Sequence, residues 1–465
     1  MFVGREKEME ILNSHYASGK FEFIAIYGRR RIGKTTLITE FCKNKKTIFF
    51  PAAETDAKNN LKMLSAAMFA CTDPDMANPP SFDSLQQAFG RIAELAERER
   101  IVFVIDEFPY LAGSERSVSS VLQNMIDHRF KNTKLMLILC GSSMSFMERQ
   151  VLGYESPLYG RRTAQIKLLP FRYNDIQKWF PSYTSEELAL VYAVLGGVPM
   201  YLEIFSKEKT VYQNILGSVM RAGAVLLEEP SNLMKQELRE PQIYNAIVTA
   251  IAAGRTRLSE ISDTVGAESG SISKYIDNLI SMGIVKKETP VLSENNRKTI
   301  YVIVDNFFRF WYSFVQKNMA AILSGNMPKV FNDAVVSHLP EFMGLVFEDM
   351  CKDYLAVSDS APFTVCQTGQ WWGTDPKKKA QVQIDAVALS HDRKEAIVGS
   401  CKYRSERVSP NVLYQLKEDA QAMGGKFERI YYYIFSKSGF SASLTDAAEA
   451  DSSIRLVSLD ELYRK

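Results

Sequence analysis

Gly28-Arg29-Arg30-Arg31-Ile32-Gly33-Lys34-Thr35-Thr36 follows the apolar run Phe23–Tyr27 and leads into a stretch of helical period, Lys34–Lys43. Gly28–Thr35 fits Gly-x4-Gly-Lys-[Ser/Thr], a phosphate-binding loop, in the strand–loop–helix context that the pattern needs. Glycines let backbone N–H groups turn inward on phosphates, and the helix N-terminus adds its dipole. In such a loop the backbone from Gly28 to Thr36 cradles the phosphates, Lys34 bridges the β- and γ-phosphates, and the Thr35 hydroxyl binds Mg²⁺. The plainer alternative is a glycine-bracketed basic turn. Arg29, Arg30 and Arg31 are expected to point away from the nucleotide, toward a partner or DNA or simply into solvent as an exposed tip.

Outward from the loop, Phe21–Tyr27, Thr47–Phe50, Ile101–Ile105, Leu135–Cys140 and Ala164–Leu169 read as buried strands. Helical patterns at Lys34–Lys43, Ala57–Cys71, Ser84–Arg98 and Ser117–Phe130 lie between them. That alternation implies an α/β domain with a parallel sheet. Ile101-Val-Phe-Val-Ile-Asp106-Glu107 is an apolar strand ending in two acids, the Walker B pattern. Asp106 would hold Mg²⁺ through water, and Glu107 would polarise the attacking water. A further strand ends in Gly141-Ser142-Ser143. Either serine could reach the γ-phosphate, or simply cap a helix.

Phe2-Val-Gly4-Arg5-Glu6, Gly28–Thr35, Asp106-Glu107, Gly141-Ser142-Ser143 and Pro157-Leu-Tyr-Gly160-Arg161-Arg162 together resemble one family. It is the archaeal and bacterial P-loop ATPase family, similar to AAA+ and STAND-type ATPases of the ASCE division, that carries a C-terminal domain of unknown function. The resemblance implies that Phe2–Glu6 packs near adenine and that Ser142 or Ser143 occupies the sensor position. It makes Arg161 or Arg162 a γ-phosphate arginine, acting in cis or across a subunit interface. Gly197-Val198-Pro199 resembles the element in which a proline, here Pro199, contacts the base. ATP and Mg²⁺ are the implied cofactors.

Residues 1–170 are read as the P-loop ATPase core and 171–240 as a helical lid. Residues 241–310 show helix, helix-turn-helix and two β-prone runs around Ser293–Lys298, the order of a winged helix. Its recognition helix, Ser269–Ser281, carries Ser271, Ser273, Lys274 and Tyr275; its wing carries Lys286, Lys287, Arg297 and Lys298. Such residues contact DNA, yet Glu260, Asp263, Glu268 and Asp277 share the module, so a packing and switching role stands beside DNA binding. Residues 311–340 form a helical connector.

Residues 341–465 read as a second α/β domain. An acid on one strand, Asp385, followed by Lys402 on the next, with Glu348 on the preceding helix, resembles the PD-(D/E)XK nucleases. The resemblance implies a restriction-endonuclease-like fold in which Glu348 and Asp385 hold Mg²⁺ and Lys402 stabilises developing charge or positions water. Ser400 stands where the second metal carboxylate is expected, and a hydroxyl is a poor substitute. A domain that binds DNA or protein without cutting competes with an active nuclease.

At roughly 150 residues per domain, a chain of 465 residues suggests about three domains. Hydrophobic residues at 46% and charged residues at 24% exclude a disordered or fibrous chain. A formal charge of +2 leaves DNA binding to local patches. No apolar run approaches the ~20 residues of a membrane span, and the charged N-terminus shows no signal core. The six cysteines include no CxxC pair, and Cys42, Cys140 and Cys401 sit in apolar stretches like reduced core thiols. The expectation is a cytoplasmic ATPase that couples nucleotide state to DNA binding or processing. The alternative is a nucleotide-dependent switch or scaffold that binds protein partners, including a second copy of itself.

Overall fold

The computed structural model describes residues 2–293, 298–375 and 379–464. The chain divides into two compact units, Met1–Pro170 with Val198–Met200, and Phe171–Gly197 with Tyr201–Lys465.

In the first unit, β1 (Glu22–Tyr27), β2 (Thr47–Pro51), β3 (Ile101–Asp106), β4 (Leu135–Gly141) and β5 (Ala164–Lys167) form one parallel sheet. Their order is β2-β3-β4-β1-β5. β1, β3 and β4 are buried at every position. Both faces of the sheet are covered, which is why these strands are continuous apolar runs with no polar alternation. Phe23 and Ala25 pack with Phe103, Ile105 and Leu137 on one face. Ile24 and Ile26 pack with Val102, Val104 and Ile138 on the other, as the two-residue period requires.

The helices Lys34–Cys42, Ala57–Thr72, Leu85–Arg98 and Val118–His128 fall where the periodicity puts them. Asp56 and Ser84 cap two of them by accepting from the backbone N–H of Asn59 and Gln87. The register matters for function. Tyr27 lies opposite Gly141, and Ile105 opposite Leu139. The residues that follow β1, β3 and β4 therefore emerge side by side at the carboxyl edge of the sheet, where open parallel sheets bind ligands.

The second unit begins with helices, among them Ser185–Leu195 and Val211–Ser218. Each starts with a reciprocal capping box, Thr184 with Glu187 and Thr210 with Gln213. The helices Pro241–Ala252, Leu258–Val265 and Ser269–Ser281 follow, then an antiparallel hairpin of β6 (Val285–Glu288) and β7 (Ile300–Ile303). Gly266 and Gly283 end two of these helices at φ 74 and 70, a left-handed turn that glycine takes without strain. Arg297 of the expected wing lies outside the described residues.

The second sheet runs β12-β11-β10-β9-β8, from β8 (Val365–Thr374), β9 (Gln381–Ser390), β10 (Glu395–Lys402), β11 (Arg429–Ser436) and β12 (Ile454–Ser458). β8–β9 and β9–β10 are antiparallel, and β10–β11–β12 parallel. The sheet is mixed and forms a separate α/β domain. β8 escapes a reading of the sequence because its glycines and glutamines interrupt the alternation. Trp371 is buried in the core, together with Val291 from the segment after β6. The Val291 N–H also donates to the Gln370 carbonyl of β8 at 2.8 Å. The hairpin is thereby fastened to the edge strand of the second sheet.

Candidate functional site

The loop between β1 and the helix Lys34–Cys42 is held open by close packing. A Cβ on Gly28 would stand 2.6 Å from the Leu168 carbonyl oxygen, so only glycine fits. Gly33 has φ 86, and a Cβ there would approach Pro199 Cγ at 3.6 Å. Pro199 thus lies against the loop. Gly197, two residues earlier, has no room for a side chain, since its Cβ would fall 1.8 Å from the Phe171 carbonyl oxygen. Ile32 is fully buried beneath the loop.

Lys34 is buried, and its ammonium donates to the carbonyls of Gly28 and Arg29 at 2.9 and 3.0 Å. Thr35 and Thr36 open the helix on its exposed side. The Thr35 hydroxyl donates to Asp106 Oδ2 at 2.8 Å, linking the loop to the end of β3. Glu107 stands in the left-handed region at φ 50. Its Oε2 accepts from both the backbone N–H and the hydroxyl of Ser142, at 3.1 and 2.8 Å. Ser142 is buried and faces Glu107; Ser143 precedes the short helix Met144–Phe146 and makes no side-chain cap. Gly141 is obligatory here, because a Cβ would meet Met147 and Pro109 at 2.7 and 2.9 Å.

Three expectations are revised. Arg29, Arg30 and Arg31 are half-buried and do not form an exposed tip. Arg30 donates to the Tyr110 hydroxyl at 2.7 Å, tying the loop to the segment after β3. Arg5 does more than belong to an entry box. Itself buried, it donates to the carbonyls of Ile32 and Leu169 at 3.2 and 2.8 Å and so braces the loop from behind. Its signal in the sequence was only its place in Gly4-Arg5-Glu6.

Arg161 is engaged far from the loop. Its guanidinium grips Asp127 with two hydrogen bonds of 2.9 and 2.6 Å and also donates to the Pro157 carbonyl. Those hydrogen bonds hold the Asp127 carboxyl down to about 2. Thr163, two residues on, pairs with Phe23 near the start of β1. Gly28 follows five residues later, about 16 Å along an extended strand. Arg161 therefore lies at the amino edge of the sheet and cannot reach a γ-phosphate in its own loop. Arg162 donates to the Leu152 carbonyl at the same edge.

In the second unit, the β9–β10 ladder stops at the pair Gly399–Ala386. Beyond it the Asp385 carboxylate replaces the backbone and accepts from the Cys401 N–H at 2.8 Å. Ser400 Oγ and Lys402 Nζ stand 3.4 and 3.7 Å from the same Asp385 oxygen. Glu348, on the helix Leu339–Val357, accepts from the Gln370 amide at 2.9 Å. Burial, then the like charge of Asp385, push its carboxyl up to about 8. Glu348, Asp385, Ser400 and Lys402 thus share one neighbourhood. Among the described residues, no group of three or more His, Cys, Asp or Glu side chains could hold a metal ion.

The expected wing is partly committed. Lys286 pairs with Glu288 at 2.7 Å and approaches Asp349 at 3.7 Å. Burial alone would raise the Asp349 carboxyl, but Arg309, Lys352 and Lys286 outweigh it and hold the group well below the carboxylate range. Lys274, Lys287 and Lys298 remain exposed. Tyr275 donates to Glu240 at 2.6 Å.

The first unit has the fold of a P-loop nucleotide-binding ATPase, followed by a second α/β domain. Residues 2–205 match a family of ATPase domains predominantly from Archaea, and residues 311–431 a family of archaeal and bacterial proteins of unknown function. The chain belongs to the same family as the uncharacterized protein MJECL04 of Methanocaldococcus jannaschii, which is 32% identical over 445 residues, 94% of this chain and 96% of that one. A shorter match, 50% over 46 residues, covers 10% of this chain and 78% of the uncharacterized ATP-binding protein MJ0423 of the same organism. Among solved structures, a Walker-type ATPase of Pyrococcus abyssi has a similar fold, with TM-score 0.52 and 19% identity over 67% of this chain and 96% of that one. No helix among the described residues is long and apolar enough to cross a membrane.

Proposed function

We propose that this protein binds ATP at Gly28–Thr36, hydrolyses it, and uses its nucleotide state to control nucleic-acid binding by its second unit. The observation that carries the ATPase reading is the Glu107 carboxylate, held by two donors of Ser142 beside the Thr35–Asp106 pair. Thr35 and Asp106 offer hard oxygen ligands already in contact, a donor set that suits Mg²⁺. Mg²⁺ bound there would neutralise charge on the phosphates. Lys34 supplies a second positive charge to the β- and γ-phosphates. Glu107 orients the attacking water and takes its proton, while Ser142 holds that carboxylate in place. The approach of Pro199 to Gly33 supports its role at the base.

In this reading residues 241–310 act as a winged helix and residues 341–465 as a nuclease-like domain that binds without cutting. Glu348 and Asp385 alone fit Mg²⁺ poorly, with Ser400 in place of a carboxylate, so no cleavage step is assigned. A second reading, a switch or scaffold for protein partners or a second copy, is favoured by one observation: the hairpin is anchored to the second sheet through Val291 and to the helix Leu339–Val357 through Lys286. Two measurements test the proposal. Lys34→Ala should abolish ATP binding in calorimetry, and equal binding by both proteins would refute the ATP site. DNA affinity should fall steeply with salt and differ between ATP and ADP; no binding under any condition leaves the scaffold reading.

A further inference from the structure

A cleft of about 690 Å³ opens within the second unit, with three walls. One is the face of β8 and β9 turned toward the helix Leu339–Val357. Trp371 is buried in the core, so Trp372, its neighbour on the strand, points to the opposite face. Gln383 pairs with Trp372 across the ladder, and Gln370 lies two residues before it on the same strand. The second wall is one stripe of the helix Leu339–Val357: Leu345, Glu348, Asp349 and Lys352. The third is the hairpin, with Glu288, Ile300 and Val302, together with Arg309.

The chemistry of this lining is specific. Arg309 Nη2 and Nε are spent on the Ile303 carbonyl and Asp349, but buried Nη1 finds no acceptor among the described residues. An unsatisfied guanidinium N–H is costly, so it marks a place where a ligand oxygen would be stabilised. Gln383 is exposed, and its carboxamide makes no hydrogen bond with a described residue. Its carboxamide offers a donor and an acceptor side by side, as the edge of a nucleobase does. Trp372 supplies an aromatic face beside that amide, and stacking on such a face is the main sequence-tolerant contact for unpaired bases.

We infer that this cleft receives an unpaired nucleobase, stacked on Trp372, edge-bonded to Gln383 and carrying an oxygen to Arg309 Nη1. The inference rests on the reading that the second unit handles nucleic acid, and it names the substrate class: single-stranded rather than duplex. The base could also arrive as a free nucleoside, which shares the chemistry.

The test uses the full-length chain with saturating ATP, so that the phosphate loop is filled. Fluorescence anisotropy compares a labelled octathymidylate, the same strand with abasic sites, and a duplex; calorimetry with thymidine forms a fourth arm. Single-strand affinity should exceed that of the abasic strand at least tenfold. Trp372→Ala should lose that margin, Trp372→Phe should keep most of it, and Gln383→Ala should weaken binding several-fold. Circular dichroism controls for folding. Wild type and Trp372→Ala binding the octathymidylate equally, or the abasic strand matching it, would overturn the cleft as a base site. Duplex binding without a Trp372-dependent single-strand arm sinks the cleft alone. Trp372-dependent thymidine binding without any strand binding keeps the cleft and sinks the nucleic-acid reading. Binding in no arm sinks both.

Discussion

The hydroxyl of Ser142 donates to the carboxylate of Glu107 at 2.8 Å, and the Ser142 backbone N–H donates to the same oxygen at 3.1 Å. One residue at the end of β4 thereby fixes the acid at the end of β3. The acid sits in a left-handed backbone conformation, φ 50.

This arrangement separates binding from turnover. Glu107→Gln keeps the shape and the Thr35–Asp106 pair but loses the base. ATP binding should persist while kcat falls roughly 10²–10⁴-fold, the usual contribution of a positioned general base. Ser142→Ala should also lower kcat, by a smaller factor of about 10, with KM little changed. Steady-state hydrolysis assays decide this, and wild-type turnover by Glu107→Gln would refute the role.

Arg161 should behave as a structural residue. Arg161→Ala is expected to leave kcat unchanged and lower Tm by a few degrees, the effect of losing a partly exposed bidentate pair of about 1 kcal/mol. Asp127 has a depressed carboxyl, so its contribution is present above its ordinary value of 3.8 and is lost as pH falls through about 2. Acid unfolding curves of wild type and Asp127→Asn should therefore converge at the lowest pH. A large kcat loss in Arg161→Ala with normal Tm would overturn the assignment.

Glu348 acts in the opposite sense. Its carboxyl is raised from 4.5 to about 8 by burial and by Asp385, so the folded chain holds a proton that the unfolded chain has released. Stability should decline as pH rises from 4.5 to 8, because ionisation is disfavoured only in the folded state. In chelator, thermal melts of Glu348→Gln should show a flatter profile over that window, and identical slopes would refute the placement.

Ser400 Oγ stands 3.4 Å from Asp385 Oδ2, so Ser400→Glu would bring a second carboxylate to the same point. Without metal, like charges should lower Tm. Mn²⁺ should bind more tightly than to wild type, measured on the nucleotide-free chain, and the gain should vanish with Asp385→Ala. Mn²⁺ affinity equal to wild type would mean that position 400 does not face a metal site.

The sequence alone determined the five strands of the first unit and four of its helices, together with the motifs at their ends. Gly28–Thr35, Asp106-Glu107 and the apolar runs of β1, β3 and β4 are local patterns, and a strand buried on both faces announces itself without reference to its neighbours. Helix limits such as Leu258–Val265 and Ser269–Ser281 were legible for the same reason, being written in caps and periodicity. Glycine- and glutamine-rich β8 was not, because its place depends on pairing with β9 rather than on its own composition. Only the tertiary structure shows that Ser142, and not Ser143, contacts Glu107, since that depends on which backbone N–H faces the acid after the β3–β4 register is set. It alone carried Arg161 to Asp127, because a motif's spacing says nothing about which edge of the sheet it reaches. For Glu348 and Asp385 the nuclease resemblance groups the residues, and the structure adds the burial and like charge that raise the Glu348 carboxyl. Their nearness arises where a helix and two diverging strands meet, and an energy that depends on distance and burial cannot be read from separation along a chain.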